Sequence, residues 1–135
     1  ADHVRFDEVS WGRISGRLAK AGCNQIIIDI AEILQYPSHP ELAIKGSWSA
    51  DRLHEEVQRL KKLGLEPIPK LNFSTAHDVW LKEYHKMVST PKYYQVVSDV
   101  ISDAIDTFEK PRFFHIGFDE ETHLFQKKHS IIQRN

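Results

Sequence analysis

The sequence predicts an α/β fold: a partial (β/α)8 barrel of about three parallel strands with flanking helices, or a small open three-layer α/β sheet. Three observations predict it. Helical periodicity alternates with short apolar runs in the order helix–strand–helix–strand–helix–strand, which implies parallel strands with right-handed crossovers. The helix-to-strand connections are very short, whereas the strand-to-helix connections are long and carry His, Trp and Tyr, as in a barrel whose working face lies at the strand C-termini. Each strand also has one mainly polar parity near its C-terminal end, which a barrel lumen explains better than two helix-covered faces.

The first helix is predicted over Asp7–Ala21, where Trp11, Ile14, Leu18 and Ala21 recur at helical spacing and Gly22 stops the run. Cys23–Ile30 is too short for a helix and rich in β-branched residues, so it reads as a buried parallel strand. The connection 32–48 follows. Ser49 then caps a second helix with Asp51 in its first turn, a buried stripe of Leu53, Val57, Leu60 and Leu63, and Gly64 at its end. Leu65–Phe73 is the second strand, although Pro67 and Pro69 argue against a regular central one. A short helix is expected around Asp78–Met87. Thr90-Pro91 starts the third long helix, with Tyr93, Val97, Val100, Ile101, Ala104, Ile105 and Phe108 on one face. Arg112–Phe118 is the third strand.

Composition narrows the classes of function. The chain has 135 residues, 41% hydrophobic and 27% charged, which is enough for a single core-bearing unit. A full barrel takes about 250 residues, so residues 1–135 read as one incomplete barrel segment. Such a segment would expose strand edges, and self-association through them is expected. The net charge of -1 predicts no general attraction to nucleic acid or anionic membrane. No apolar run approaches the roughly 20 residues of a membrane span, no signal peptide is visible, and the compartment is left open. The single Cys23 cannot form an internal disulfide and is expected to be a packed thiol.

The chemistry-bearing residues cluster at predicted strand ends. Phe113-Phe114-His115-Ile116-Gly117-Phe118-Asp119-Glu120-Glu121 is an apolar run ending in His, Gly and three carboxylates. Crowded carboxylates in a partly dry site repel, which raises at least one pKa and makes a proton donor. Glu120 is therefore the candidate acid and Asp119 its orienting partner, while Glu121 fits the first turn of a following helix. His115 shares the parity of Asp119. Asn72 ends the second strand and suits hydrogen bonding to substrate, Lys70 below it suits a charge pair with Asp29 or another carboxylate, and His77 suits the rim or a solvated loop; with His115 and Asp29 these are the candidate substrate-binding residues. Trp48, Trp80 and Tyr84 are either sugar-stacking aromatics or loop packing. A metal-dependent hydrolase using His115, Asp119, Glu120 and His123 is a third reading, without close H-E-x-x-H or Cys spacing behind it.

His115-Ile116-Gly117-Phe118-Asp119-Glu120 resembles the H-x-G-x-D-E signature of the family 20 glycoside hydrolases, the β-N-acetylhexosaminidases. Leu63-Gly64-Leu65-Glu66-Pro67-Ile68-Pro69-Lys70-Leu71-Asn72-Phe73 falls where that family has a helix end and then I-P-E-x-D-x-P-G-H. The resemblance spans about Asn24 to Glu121, and is nearer to less characterised family-20-like barrels with P-K-L-N-F and F-D-E-E at these places. It implies barrel strands two to four and substrate-assisted hydrolysis of a carbohydrate. The sugar's own acetamido oxygen attacks, the residue matching Glu120 protonates the leaving oxygen, and the residue matching Asp119 orients the acetamido group. No metal or organic cofactor is implied. Lys70 stands in place of that family's Glu, Asn72 in place of its Asp, Ser74-Thr75-Ala76 in place of Pro-Gly-His, and Phe118 in place of a small residue. These departures favour a second function, a non-catalytic carbohydrate-binding or scaffold barrel.

Overall fold

The computed structural model describes residues 3–118. Helix α1 spans Glu8–Lys20, strand β1 Gln25–Asp29, helix α2 Ala50–Lys62, strand β2 Glu66–Lys70 and helix α3 Pro91–Thr107. Two 3-10 segments, Pro40–Leu42 and Asp78–Met87, lie in the strand-to-helix connections. The second is kinked at Lys82, whose φ is 52°. The fold is mixed α/β around a parallel pair, β1 beside β2, with Ile27 opposite Ile68 and Asp29 opposite Lys70.

Capping sets the helix starts. Asp7 accepts from the Ser10 amide at 2.6 Å, Ser49 from Arg52 at 3.2 Å and Thr90 from Tyr93 at 3.2 Å. Gly64, at φ 82°, ends α2 in a conformation that side chains resist. The core lies between the sheet and helices α2 and α3. Val57 and Leu60 meet Val96, Val100 and Ala104 there, all 0% exposed, over Ile28 and Leu71. Burial of such apolar surface is the main stabilising term.

The two prolines of β2 explain its pairing. Even-numbered residues bond toward β1: the Glu66 amide donates to the Asn24 carbonyl at 2.8 Å, and Ile30 to Lys70 at 3.0 Å. Odd-numbered residues face the other way, so Pro67 and Pro69 direct their missing N–H groups away from β1. The chain from Pro69 to Ser74 bonds on that side all the same, with residues 115–117. His115 donates to the Pro69 carbonyl at 2.9 Å, Leu71 to His115 at 2.9 Å, and Ser74 to Gly117 at 3.1 Å. The predicted third strand Arg112–Phe118 is therefore reduced to a single parallel bridge, Lys70 to His115, continued by bonds above Pro69. Pro67 and Pro69 cannot donate to it below that point.

Helices cover one face of this array among the described residues. On the other face Ile27 is 55% and Phe113 47% exposed, with Gln25, Asp29 and His115 beside them. Three expectations need correction. In α1 only Ser15 is buried and Ile14 is 47% exposed, because α1 leans on α2 through polar contacts, Trp11 Nε1 to Glu56 and Arg59 to Ser15. Leu63 is 39% exposed, since it lies past the last buried turn of α2. Cys23 is exposed rather than packed, in the turn between α1 and β1. No described helix is long and apolar enough to cross a membrane.

Candidate functional site

A cleft of about 700 Å³ opens at the carboxyl ends of β1 and β2. Asp29, Asn72 and His77 all line it. Parallel pairing brings this about, because the C-terminal ends of both strands emerge on the same side. Asn72 Nδ2 donates to Asp29 Oδ2 at 2.5 Å, and the Ala31 amide donates to Asp29 Oδ1 at 3.2 Å. Each carboxylate oxygen of Asp29 thus has a fixed donor, and the carboxylate is held against the amide of the neighbouring strand.

Trp80 gives the cleft wall an indole ring that is held from behind. Trp80 Nε1 donates to the Asn72 carbonyl at 2.7 Å, while its ring packs between Tyr36 and Phe73, with centroids 5.7 and 5.8 Å away. The Tyr36 hydroxyl lies 3.2 Å from the Ile30 carbonyl at the end of β1. Burial, with the charges of Asp29 and Asp103, pushes its phenol well above the ordinary value, so Tyr36 is a neutral donor. Trp48 and Tyr84 are 7% and 8% exposed and pack the connections, while Trp80, 6% exposed, packs likewise and also lines the cleft.

Lys70 and His115 stand beside this pair and not in the cleft lining. Asp29 faces Lys70 across the ladder, and Lys70 bridges to His115, so the three form a row across adjacent segments. The expected Lys70–Asp29 charge pair is not formed: Asp29 takes its donors from Asn72 and Ala31 instead. His115 Nδ1 accepts from the Gly117 amide at 3.1 Å, which places the proton of a neutral ring on Nε2.

Gly117 fits tightly against the site. A Cβ there would lie 2.2 Å from the Leu71 carbonyl and 2.9 Å from Asn72 Oδ1. The chain therefore arrives at Phe118 from beside Asn72. Asp119 and Glu120, the candidate acid pair, lie outside the described residues, as do Glu121 and His123. Among the described residues no group of three His, Cys, Asp or Glu side chains is placed to hold a metal.

Sequence reasoning missed part of the lining. His3, Arg5 and Glu32 contribute to the cleft. Residue 3 bridges in parallel to Lys45, and the Val4 amide donates to the Lys45 carbonyl at 2.9 Å, which folds the N-terminal segment over the first connection. One isolated bridge leaves no periodic pattern, so no sequence signal marked it. No family model matches the chain, and no curated protein matches its sequence.

Proposed function

We propose that this chain is a section of a (β/α)8 barrel whose cleft binds a carbohydrate, with Glu120 as acid and Asp119 as its partner in glycoside hydrolysis of the family 20 type. The observation that carries the reading is the Asp29–Asn72 pair, joined at 2.5 Å across the C-terminal ends of adjacent parallel strands and opening into one cleft with His77. Fixed carboxylate and amide groups of this kind suit the hydroxyl and acetamido groups of a sugar. Phe118 leads directly into Asp119 and Glu120, and its neighbour Gly117 is packed on Asn72. The barrel reading also accounts for the uncovered face. Ile27 and Phe113 would be lumen residues that further strands cover, and their exposure would drive self-association without them.

A second reading is a carbohydrate-binding barrel without turnover. The engagement of Asn72 as a donor to Asp29 favours it, since an amide there cannot act as the carboxylate that the resemblance has at this place. One experiment separates the two. An aryl N-acetylhexosaminide is offered to the protein and to Glu120→Gln. Turnover lost in the variant with folding unchanged supports hydrolysis. Sugar binding without turnover in either protein supports the second reading, and neither binding nor turnover across a panel of glycosides rejects both.

A further inference from the structure

His39 lies outside the cleft at the junction of three elements and is 7% exposed. Its Nδ1 is 2.8 Å from Glu41 Oε1, in its own 3-10 turn, and its Nε2 is 3.1 Å from Asp99 Oδ2 on α3. The second 3-10 segment joins through Tyr84, whose hydroxyl donates to the same Glu41 oxygen at 2.8 Å and whose ring meets the imidazole edge-on. We propose that His39 is a proton-operated latch that fastens both strand-to-helix connections to α3 when its ring is charged and loosens them when the ring is neutral.

The chemistry follows from the count of donors. An imidazolium donates from both nitrogens, whereas a neutral ring donates from one and turns a lone pair toward the other carboxylate. Only the charged ring satisfies both contacts. The surroundings keep the balance anionic at the ring. Lys82 Nζ is taken up by the Glu41 and Ala43 carbonyls, and Lys92 Nζ sits over the Tyr84 ring, 5.4 Å from its centroid. Gln95 holds the other Asp99 oxygen at 2.8 Å, and Asp103 is occupied by the Ser38 amide and hydroxyl at 3.0 and 2.6 Å. Burial raises the Glu41 pKa, but the hydrogen bonds from His39 and Tyr84 outweigh it and hold the carboxyl below its ordinary value, so it remains an anion.

The fastened state needs a donor on each ring nitrogen, so loss of a proton from the ring weakens it and uptake of one restores it. Both connections line the cleft, through Glu32 and Ile33 on one and Val79 and Trp80 on the other, so the latch governs how firmly that rim is held. This inference stands whether or not the cleft takes a sugar.

The test is amide hydrogen exchange on the full chain from pH 5.5 to 8, expressed as protection factors, with the ring nitrogens followed by nitrogen-15 NMR. Protection at Leu42 and Ala43, whose amides bond to the His39 and Pro40 carbonyls, should fall about three- to ten-fold as the ring loses its proton. Leu65, bonded to Leu60 at the end of α2, should not change. Asp99→Asn keeps the shape, removes one carboxylate and should flatten the dependence, as should His39→Gln. A ring already neutral at pH 5.5 would overturn the proposal. So would protection at Leu42 and Ala43 that ignores pH, or a full dependence retained in Asp99→Asn.

Discussion

Replacing Gly117 with Ala probes the packing that holds the end of the third segment against Asn72. Gly117 has φ 67°, and its new Cβ would stand 2.2 Å from the Leu71 carbonyl and 2.8 Å from the Asn72 Cα. Real Cβ contacts stay at or above about 3.0 Å, so the segment must retreat by about 0.8 Å, the difference between 3.0 and 2.2 Å. Both neighbours are backbone, which cannot rotate away. The retreat stretches Ser74 N–H to Gly117 at 3.1 Å and Phe73 N–H to Ile116 at 3.3 Å. The left-handed conformation costs an alanine about 1–2 kcal/mol, and two weakened hydrogen bonds add about 1 kcal/mol each, so the total is about 3–4 kcal/mol. Gly64→Ala is the control. Gly64 has φ 82° but nothing within 4 Å of its would-be Cβ, so only the conformational cost of about 1–2 kcal/mol applies. Urea unfolding of the two variants measures the difference. Equal losses, within about 0.5 kcal/mol, would refute the close approach of Gly117 to β2.

The remaining predictions concern the core and the outer face. Leu60→Ala empties a site that is 0% exposed and should cost about 2–5 kcal/mol, whereas Ile14→Ala on the 47% exposed flank of α1 should cost under about 1 kcal/mol. Thermal unfolding checks the pair, and similar losses would contradict the placement of α1. Hydrogen bonds from Arg112 and then Gln25 hold the Glu66 carboxyl down to about 2, against an opposing effect of burial. Because the folded value is depressed, this contribution is full above the ordinary carboxylate range and is lost as pH falls from about 4.5 toward 2. The stability gap between the protein and Glu66→Gln should therefore be present at pH 7, shrink as pH falls below about 4.5 and disappear only below about 2. It should also shrink in high salt, since the pair is on the surface.

Much of the secondary structure was legible because its signals are local. Ser49 was readable as a cap and Pro91 as a first helical residue, and periodicity placed the start of α1 at Asp7; in the structure Asp7, Ser49 and Thr90 each bond an amide three residues on, a purely local contact. The apolar stripes of α2 and α3 were likewise readable, although α3 buries Val96 and Thr107, which lay outside the expected stripe, and leaves Val97, Ile101 and Ile105 half-buried. The third segment was only half legible. Its apolar run is strand-like, but its pairing depends on which face of β2 lacks N–H groups, and that depends on which neighbour lies on which side.

The candidate site divides in the same way. Strand parity placed Asp29, Asn72 and His115 on one side of the sheet, since alternation is a property of any extended chain. Which of them touch was decided by the register, Asp29 opposite Lys70, and by the turn that carries Asn72 back onto the Asp29 carboxylate. The folding of His3 and Arg5 over the cleft, and the clasp of His39 between Glu41 and Asp99, join residues up to 60 positions apart. Sequence by itself determined the order of helices and parallel strands and the polar tips they carry. Tertiary structure alone decided which tips meet, because contacts between distant segments depend on packing and leave no local pattern to read.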